Sequence, residues 1–323
     1  MRILITGVAG FIGSNLALKL LGSGYEVIGI DNFTYGFERN INKLRKSDKF
    51  CFIEGNINNP SLLKNQKSDV IVHLASQKIP RYTNAFKTLE DNFHNLQQIV
   101  KKCISDKSKI IFASTSDVYG KNPDVPFSET SNLVLGPTTI KRWAYAISKI
   151  YGEQYIIASN EEFGLDYTIA RFFGAYGPNQ NLTWWGGPQS VFITKALLKE
   201  EMEIHGNGSQ TRTFTYIEDT VNAICRFISD SKSDNQIFNV GSTHKCEISI
   251  IDLAKLIWKQ INGDKSTPKL KFIPYTDFGK YEDVMQRVPD ISKIKEYFNF
   301  EPFWTLEEGL KETIAWQREI MGL

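Results

Sequence analysis

The chain has 323 residues, 41% of them apolar and 23% charged, with a formal net charge of +2. That length holds one large domain or two intimate ones around a sizeable core. The near-balanced charge offers no basic field for nucleic acid and no polybasic surface for a membrane, and no apolar run is long enough to span a bilayer.

Met1 runs straight into strand-like residues 2–6, so no signal peptide is expected and a cytoplasmic location follows. Residues 3–5 read as the first strand, and Gly7-Val-Ala-Gly10-Phe-Ile-Gly13 joins it to a helix over 12–21. Glycines there allow a tight turn and let backbone amides approach a pyrophosphate at a helix N-terminus. A strand over 26–30 ends at Asp31, placed to bind the adenosine ribose hydroxyls; a carboxylate there repels a 2′-phosphate, which favours NAD over NADP. Further strands are expected over 50–53, 70–73, 109–113 and 167–171, with helices over 88–102 and 142–160. The helix over 142–160 carries Tyr145 and Lys149, four apart and therefore on one face. An ammonium that close favours the phenolate, giving a general base for an alcohol near neutral pH.

After Pro178 the alternation of strand and helix stops. A loop over 179–188 contains Trp184 and Trp185, which are costly to expose and so predict a substrate lid or a lobe contact. A helix over 191–199, a turn over 206–208, a helix over 250–261 and a C-terminal helix over 306–320 follow. The four cysteines, Cys51, Cys103, Cys225 and Cys246, stand apart with no CxxC pair, and are expected as buried small hydrophobes rather than disulfides or metal ligands. Near-continuous apolar strands between helices imply an α/β fold: a doubly wound parallel, Rossmann-like sheet with a smaller C-terminal α/β substrate lobe. The expected division is 1–177 plus about 215–240 for NAD, and 178–214 plus 241–323 for the substrate.

Several motifs occur together in one order: the opening GxxGxxG, Asp31-Asn32, His73-Leu-Ala75, Ser114-Thr-Ser-Asp-Val-Tyr-Gly120, YxxxK, Arg171-Phe-Phe173, Tyr176-Gly-Pro178 and Gly208-Ser-Gln-Thr-Arg212. With them the chain resembles, over nearly its whole length, the extended short-chain dehydrogenase/reductase family of NAD-dependent sugar-nucleotide epimerases, dehydratases and decarboxylases. The resemblance implies that Gly7, Gly10, Phe11, Ile12 and Gly13 hold the pyrophosphate and Asp31 and Asn32 the ribose. It places Thr34 and Gly36 by the phosphates, Asn56 and Ile57 at adenine, and Leu74, Ala75 and Lys78 along the cofactor's middle. Thr115 is the implied hydrogen-bonding partner of the reacting oxygen, with Tyr145 as base and Lys149 on the nicotinamide ribose.

Ser116 and Asp117 occupy positions where similar dehydratases and decarboxylases carry Ser and an acid, commonly Glu. Asp117 is one methylene shorter, and reads equally as a base or as a solvated or capping carboxylate. Arg212 matches the residue that grips the substrate diphosphate, His205 the ring beside the base, and Arg287 the arginine that reaches the active site in decarboxylases. Gly174 departs from the usual Asn. Ser76, Gln77, Arg81 and Trp185 complete the expected substrate set.

The resemblance implies oxidation of a nucleoside-diphosphate sugar at C4. Epimerisation ranks first, because Lys78 favours NAD retention and Glu is absent at 117. A 4,6-dehydratase, a UDP-glucuronate-type decarboxylase and a net C4 dehydrogenase are the alternatives, with a non-catalytic NAD or sugar-nucleotide-binding protein as the reading from another class. A homodimer, or dimer of dimers, through the helices over 88–102 and 142–160 is also implied.

Overall fold

A computed structural model describes residues 1–78, 84–243 and 246–323. In chain order, β1 (Arg2–Thr6), α1 (Phe11–Gly22), β2 (Glu26–Asp31), α2 (Glu38–Ile41), β3 (Phe50–Glu54), β4 (Val70–His73), α3 (Ala85–Asp106), β5 (Lys109–Thr115), α4 (Trp143–Phe163) and β6 (Tyr167–Phe172) build the first half. There follow β7 (Gly174–Tyr176), α5 (Pro188–Leu197), β8 (Met202–His205), β9 (Thr211–Tyr216), α6 (Ile217–Ser229), β10 (Gln236–Val240) and β11 (Glu247–Ser249). The chain ends with α7 (Ile250–Asn262), β12 (Leu270–Ile273), β13 (Gln286–Arg287), α8 (Ser292–Phe298) and α9 (Leu306–Met321).

Seven parallel strands form the main sheet in the order β10-β6-β5-β4-β1-β2-β3. Successive side chains of a strand point to opposite faces, and β1 shows why its run is apolar throughout. Ile3 and Ile5 join the core under α1 and α6, while Leu4 joins Leu96, Ile99 and Ile156 beneath α3 and α4. A sheet covered on both faces needs such strands. Residues 215–240 supply α6 and β10, and β10 extends this sheet beyond β6.

The strands outside the main sheet are short. β9 is flanked by β11 and β13 and also pairs with β7, while β8 pairs with β12. Strands of two to six residues with mixed polar composition carry no clear period of two, so most of these pairings left no mark in the sequence.

The cysteines correct one expectation: among them Cys103 is buried, Cys51 is exposed, and Cys225 and Cys246 are half-buried. Cys51 lies on β3, the edge strand of the sheet, where one flank is open. Among the described residues no helix is long and apolar enough to cross a membrane.

Candidate active site

The turn after β1 is made of backbone. Gly7 adopts φ +77°, a region that suits glycine. A Cβ on Gly13 would lie 2.2 Å from the Gly7 carbonyl oxygen, and one on Gly10 would lie 3.1 Å from the same atom. α1 then begins with neither a capping side chain nor an acid in its first turn, so its first N–H groups stay available to an anion. Gly7, Gly10, Phe11, Ile12 and Gly13 all line the main cavity, and this cradle fits a dinucleotide pyrophosphate.

Asp31 is buried, and its two carboxylate oxygens accept the N–H groups of Ala9 at 2.9 Å and Phe33 at 2.8 Å. It therefore braces the glycine turn, a duty the ribose reading did not anticipate. Burial pushes its pKa up, and those amides pull against the rise. Asp31, Asn32, Thr34, Gly36, Asn56 and Ile57 sit at or just beyond the ends of β2 and β3, and none of them is among the residues that line the cavity. Gly36 packs against Ala9, where a Cβ would meet the Ala9 side chain at 2.8 Å. Leu74 and Lys78 line the cavity. Ala75 backs Gly7, its N–H donating to the Thr6 hydroxyl at 3.2 Å.

Thr115, at the end of β5, meets Tyr145 and Lys149 from α4 in the cavity wall, together with Ser116 and Asp117. The Thr115 side chain hydrogen-bonds the Tyr145 phenol. Lys149 is buried, donates to the Ala113 carbonyl oxygen at 2.7 Å, and lies 5.8 Å from the Tyr145 ring centre. Burial pulls the Lys149 ammonium down to about 7, against the opposing charge of Glu153.

One expectation needs correction. In the protein alone the Tyr145 phenol is held well above its ordinary value, by burial and then by the negative charge of Asp117. The Lys149 ammonium is spent on a carbonyl rather than on the phenol, so the pair by itself does not make a phenolate.

The mouth of the site holds a charge network drawn from far-apart segments. Asp117 pairs with Arg287 at 2.7 Å and with Arg142 at 3.1 Å. Asp283 pairs with Arg212 at 3.0 Å and with Arg142 at 3.4 Å, and accepts from the Tyr275 hydroxyl at 2.7 Å. Burial alone would raise the Asp117 carboxyl, but Arg287, Arg142 and Arg212 outweigh it and hold the group below its usual value. Arg212 is pulled down to about 10 by burial and by neighbouring Arg287. The Nε atoms of both Arg142 and Arg287 are buried with no hydrogen-bond partner.

Arg142 and Asp283 were missed from sequence. Arg142 had a signal, since it stands three residues before Tyr145 and thus on the same side of the helix start. Asp283 had none.

The other expected substrate residues divide. Ser76, Gly174, Trp185, His205, Arg212 and Arg287 line the cavity. Gln77 does not; its amide donates to Asp91 of α3 at 3.3 Å. Arg81 lies outside the described residues. At Gly174 a Cβ would stand 2.9 Å from the Thr213 carbonyl oxygen, so the bare backbone serves the pairing of β7 with β9. Trp185 packs, tilted, against Tyr35 of the β2–α2 loop with centroids 4.2 Å apart, while Trp184 stacks on His205 at 4.3 Å.

The model of the family described as GDP-mannose 4,6 dehydratase matches residues 4–313. The chain is 37% identical to the UDP-N-acetyl-alpha-D-glucosaminuronate decarboxylase of Bacillus cytotoxicus, over 99% of this chain and 98% of that protein. Among solved structures it is similar to the UDP-glucose 4-epimerase of Thermotoga maritima with UDP-glucose, at 31% identity and a TM-score of 0.87, covering 99% of this chain and 100% of that one. It is also similar to the UDP-glucuronic acid 4-epimerase of Bacillus cereus in complex with UDP-glucuronic acid and NAD, at 28% identity and a TM-score of 0.87 over 99% of this chain and 100% of that one. The chain therefore belongs to the GDP-mannose 4,6 dehydratase family, and is an NAD-dependent enzyme of the extended short-chain dehydrogenase/reductase class that modifies sugar nucleotides.

Proposed function

We propose that the protein oxidises C4 of a UDP-linked uronic acid and then releases the uronate carboxyl group as carbon dioxide. The observation that carries this reading is the mouth network, where Arg142 and Arg287 converge on Asp117 with both Nε donors unspent. Guanidinium groups with free N–H donors suit a carboxylate. The 37% identity to the Bacillus cytotoxicus decarboxylase supports the same reading, and suggests an N-acetylated uronate as one candidate.

NAD, held at the cradle of Gly7, Gly10 and Gly13, would supply the acceptor for the C4 hydride and the source of its return. Tyr145 takes the proton of the C4 hydroxyl, and Thr115 hydrogen-bonds that oxygen. The positive charge beside Tyr145 comes from Lys149, 5.8 Å from its ring centre, and from Arg287. Arg212 holds the diphosphate. The 4-keto uronate is a β-keto acid, so the C5–C6 bond breaks as carbon dioxide leaves, and its electron pair stays on C5 until a proton arrives there. No base is needed to strip C5. That suits Asp117, which stays an ionised carboxylate between arginines and is poorly placed to be the free base a 4,6-dehydratase requires.

The 4-epimerase ranked first from sequence is the second reading, favoured by the 31% identity to the Thermotoga maritima enzyme. Products formed in deuterated water from UDP-glucuronic acid and UDP-N-acetylglucosaminuronic acid decide between them. Carbon dioxide with one deuterium at C5 is expected. A 4-epimer without deuterium overturns decarboxylation in favour of the second reading.

With this reading go the two-lobe division given above, a cytoplasmic location and a homodimer through α3 and α4. The exposed Phe86 and Ile147 on those helices support the dimer.

A further inference from the structure

Behind the reacting groups lies a buried ion pair that the chemistry above does not use. Glu153 stands on α4 one turn beyond Lys149, and both side chains are buried. Its carboxylate accepts from Arg171 Nε at 3.0 Å and Nη2 at 2.6 Å, and from the Ser114 hydroxyl at 2.5 Å. Ser114 immediately precedes Thr115, and is the register partner of Arg171 across β5 and β6. Arg171 also donates to the Tyr119 hydroxyl at 3.0 Å, and that hydroxyl donates to Asn239 at 2.6 Å. The Asn239 amide in turn reaches the carbonyl of Asp290, three residues past Arg287.

We propose that Glu153 is a positioning residue for the reaction: its buried carboxylate keeps Lys149 an ammonium ion and pins the Thr115 end of β5 through Ser114. The inference rests on the roles proposed above for Tyr145 and Lys149.

The surroundings of Lys149 leave Glu153 this duty. On its own helix Lys149 faces Tyr145 and Glu153, and on β5 it meets the Ala113 carbonyl and the Phe112 ring. His73 on β4 is neutral, its ring pulled down to about 3 by burial and by the Lys149 charge. Asp117, the carboxylate beside Tyr145, is committed to Arg142 and Arg287. Arg171 on β6 binds both oxygens of Glu153. Burial disfavours the ammonium, and the Glu153 carboxylate opposes that loss. If Lys149 becomes neutral, Tyr145 keeps Arg287 but loses the nearby ammonium, and ionises only at higher pH.

Glu153→Gln alone strands the Arg171 charge and risks misfolding, so the decisive variant is Glu153→Gln with Arg171→Met, which removes the ion pair whole. Two readouts are compared with the parent enzyme: tyrosinate absorbance of the NAD-loaded protein against pH, with Tyr145→Phe as baseline, and the pH profile of kcat with the two uronates. The expected result for the double variant is a rising limb displaced by about one pH unit to the alkaline side. At neutral pH kcat falls about tenfold, and KM stays within about twofold. Glu153→Asp is expected to recover most of the shift. A folded double variant with the parent's profile in both readouts overturns the proposal, because Glu153 would then serve only Arg171. Failure of the double variant to fold also overturns it, since packing would then account for the residue. If Tyr145→Phe turns over like the parent, the site reading itself fails, whatever happens at 153.

Discussion

From the end of β1 into the first turn of α1, seven consecutive residues, Gly7 to Gly13, form a cradle of backbone that fits a cofactor pyrophosphate. Another part of the cavity wall takes Asp117, Arg142, Arg212, Asp283 and Arg287 from four separated stretches, and presents side-chain charge. The first site is fixed by local sterics, so one added methyl should be ruinous there. The second is fixed by long-range folding, so it should tolerate changes of shape and respond to changes of charge and pH.

Gly13→Ala tests the first half of that contrast and carries the largest expected effect. Its Cβ would have to displace the Gly7 carbonyl from 2.2 Å, which is backbone and cannot swing aside. The expected cost is about 3 kcal/mol, or a loss of roughly 100-fold in NAD affinity, while binding of free UDP is retained. Calorimetric titration with NAD and with UDP reads both. Unchanged NAD affinity would mean that the turn does not carry the pyrophosphate.

Arg287→Ala tests the second half. NAD affinity should hold, while kcat/KM for a uronate falls roughly 10- to 100-fold through the lost charged hydrogen bonds. The variant also changes the response to acid. The Asp117 carboxyl is held below its usual value, so its pairing stabilises the fold at neutral pH and is lost as pH falls through that depressed value. With Arg287 gone, Asp117 keeps Arg142 as its direct ion-pair partner, and its pKa moves up towards the ordinary carboxylate range of about 4. The acid-induced fall in melting temperature should therefore be shallower than in the parent, because less stability at neutral pH then rests on a depressed carboxyl. An unchanged acid limb would count against the pairing.

The same contrast explains what the sequence disclosed. The parallel sheet was legible because a strand buried on both faces must be apolar at every position, as Ile3, Leu4 and Ile5 are. The glycine turn and the Tyr145 to Lys149 spacing were legible because their geometry is local. The mouth was legible only in part. Arg212 and Arg287 came from resemblance, whereas Asp283 meets Arg142 and Arg212 only after β9, β13 and the start of α4 have come together. No period or spacing encodes that meeting. The bracing role of Asp31 was hidden for another reason: the acceptor is readable in sequence, but its partners Ala9 and Phe33 are backbone amides, whose direction is not.

The smallest expected effect concerns the loop that spans the two regions. From the sequence Trp185 was assigned to substrate, yet its ring rests on Tyr35, in the loop that follows Asp31. Its neighbour Trp184 rests on His205, on the side expected to face the nucleotide base. The adjacent indoles thus divide between the cofactor side and the substrate side. An aromatic pair contributes about 0.5–1.5 kcal/mol beyond its buried area, so Trp185→Ala should speed NAD release by roughly 2- to 10-fold and leave the sugar-nucleotide KM within about twofold. Trp184→Ala should do the reverse. Stopped-flow displacement of NAD and steady-state KM, measured on both variants, separate the two rings. If Trp185→Ala raises KM and leaves NAD release untouched, the indole serves the substrate as the sequence suggested, and the contact with Tyr35 is incidental.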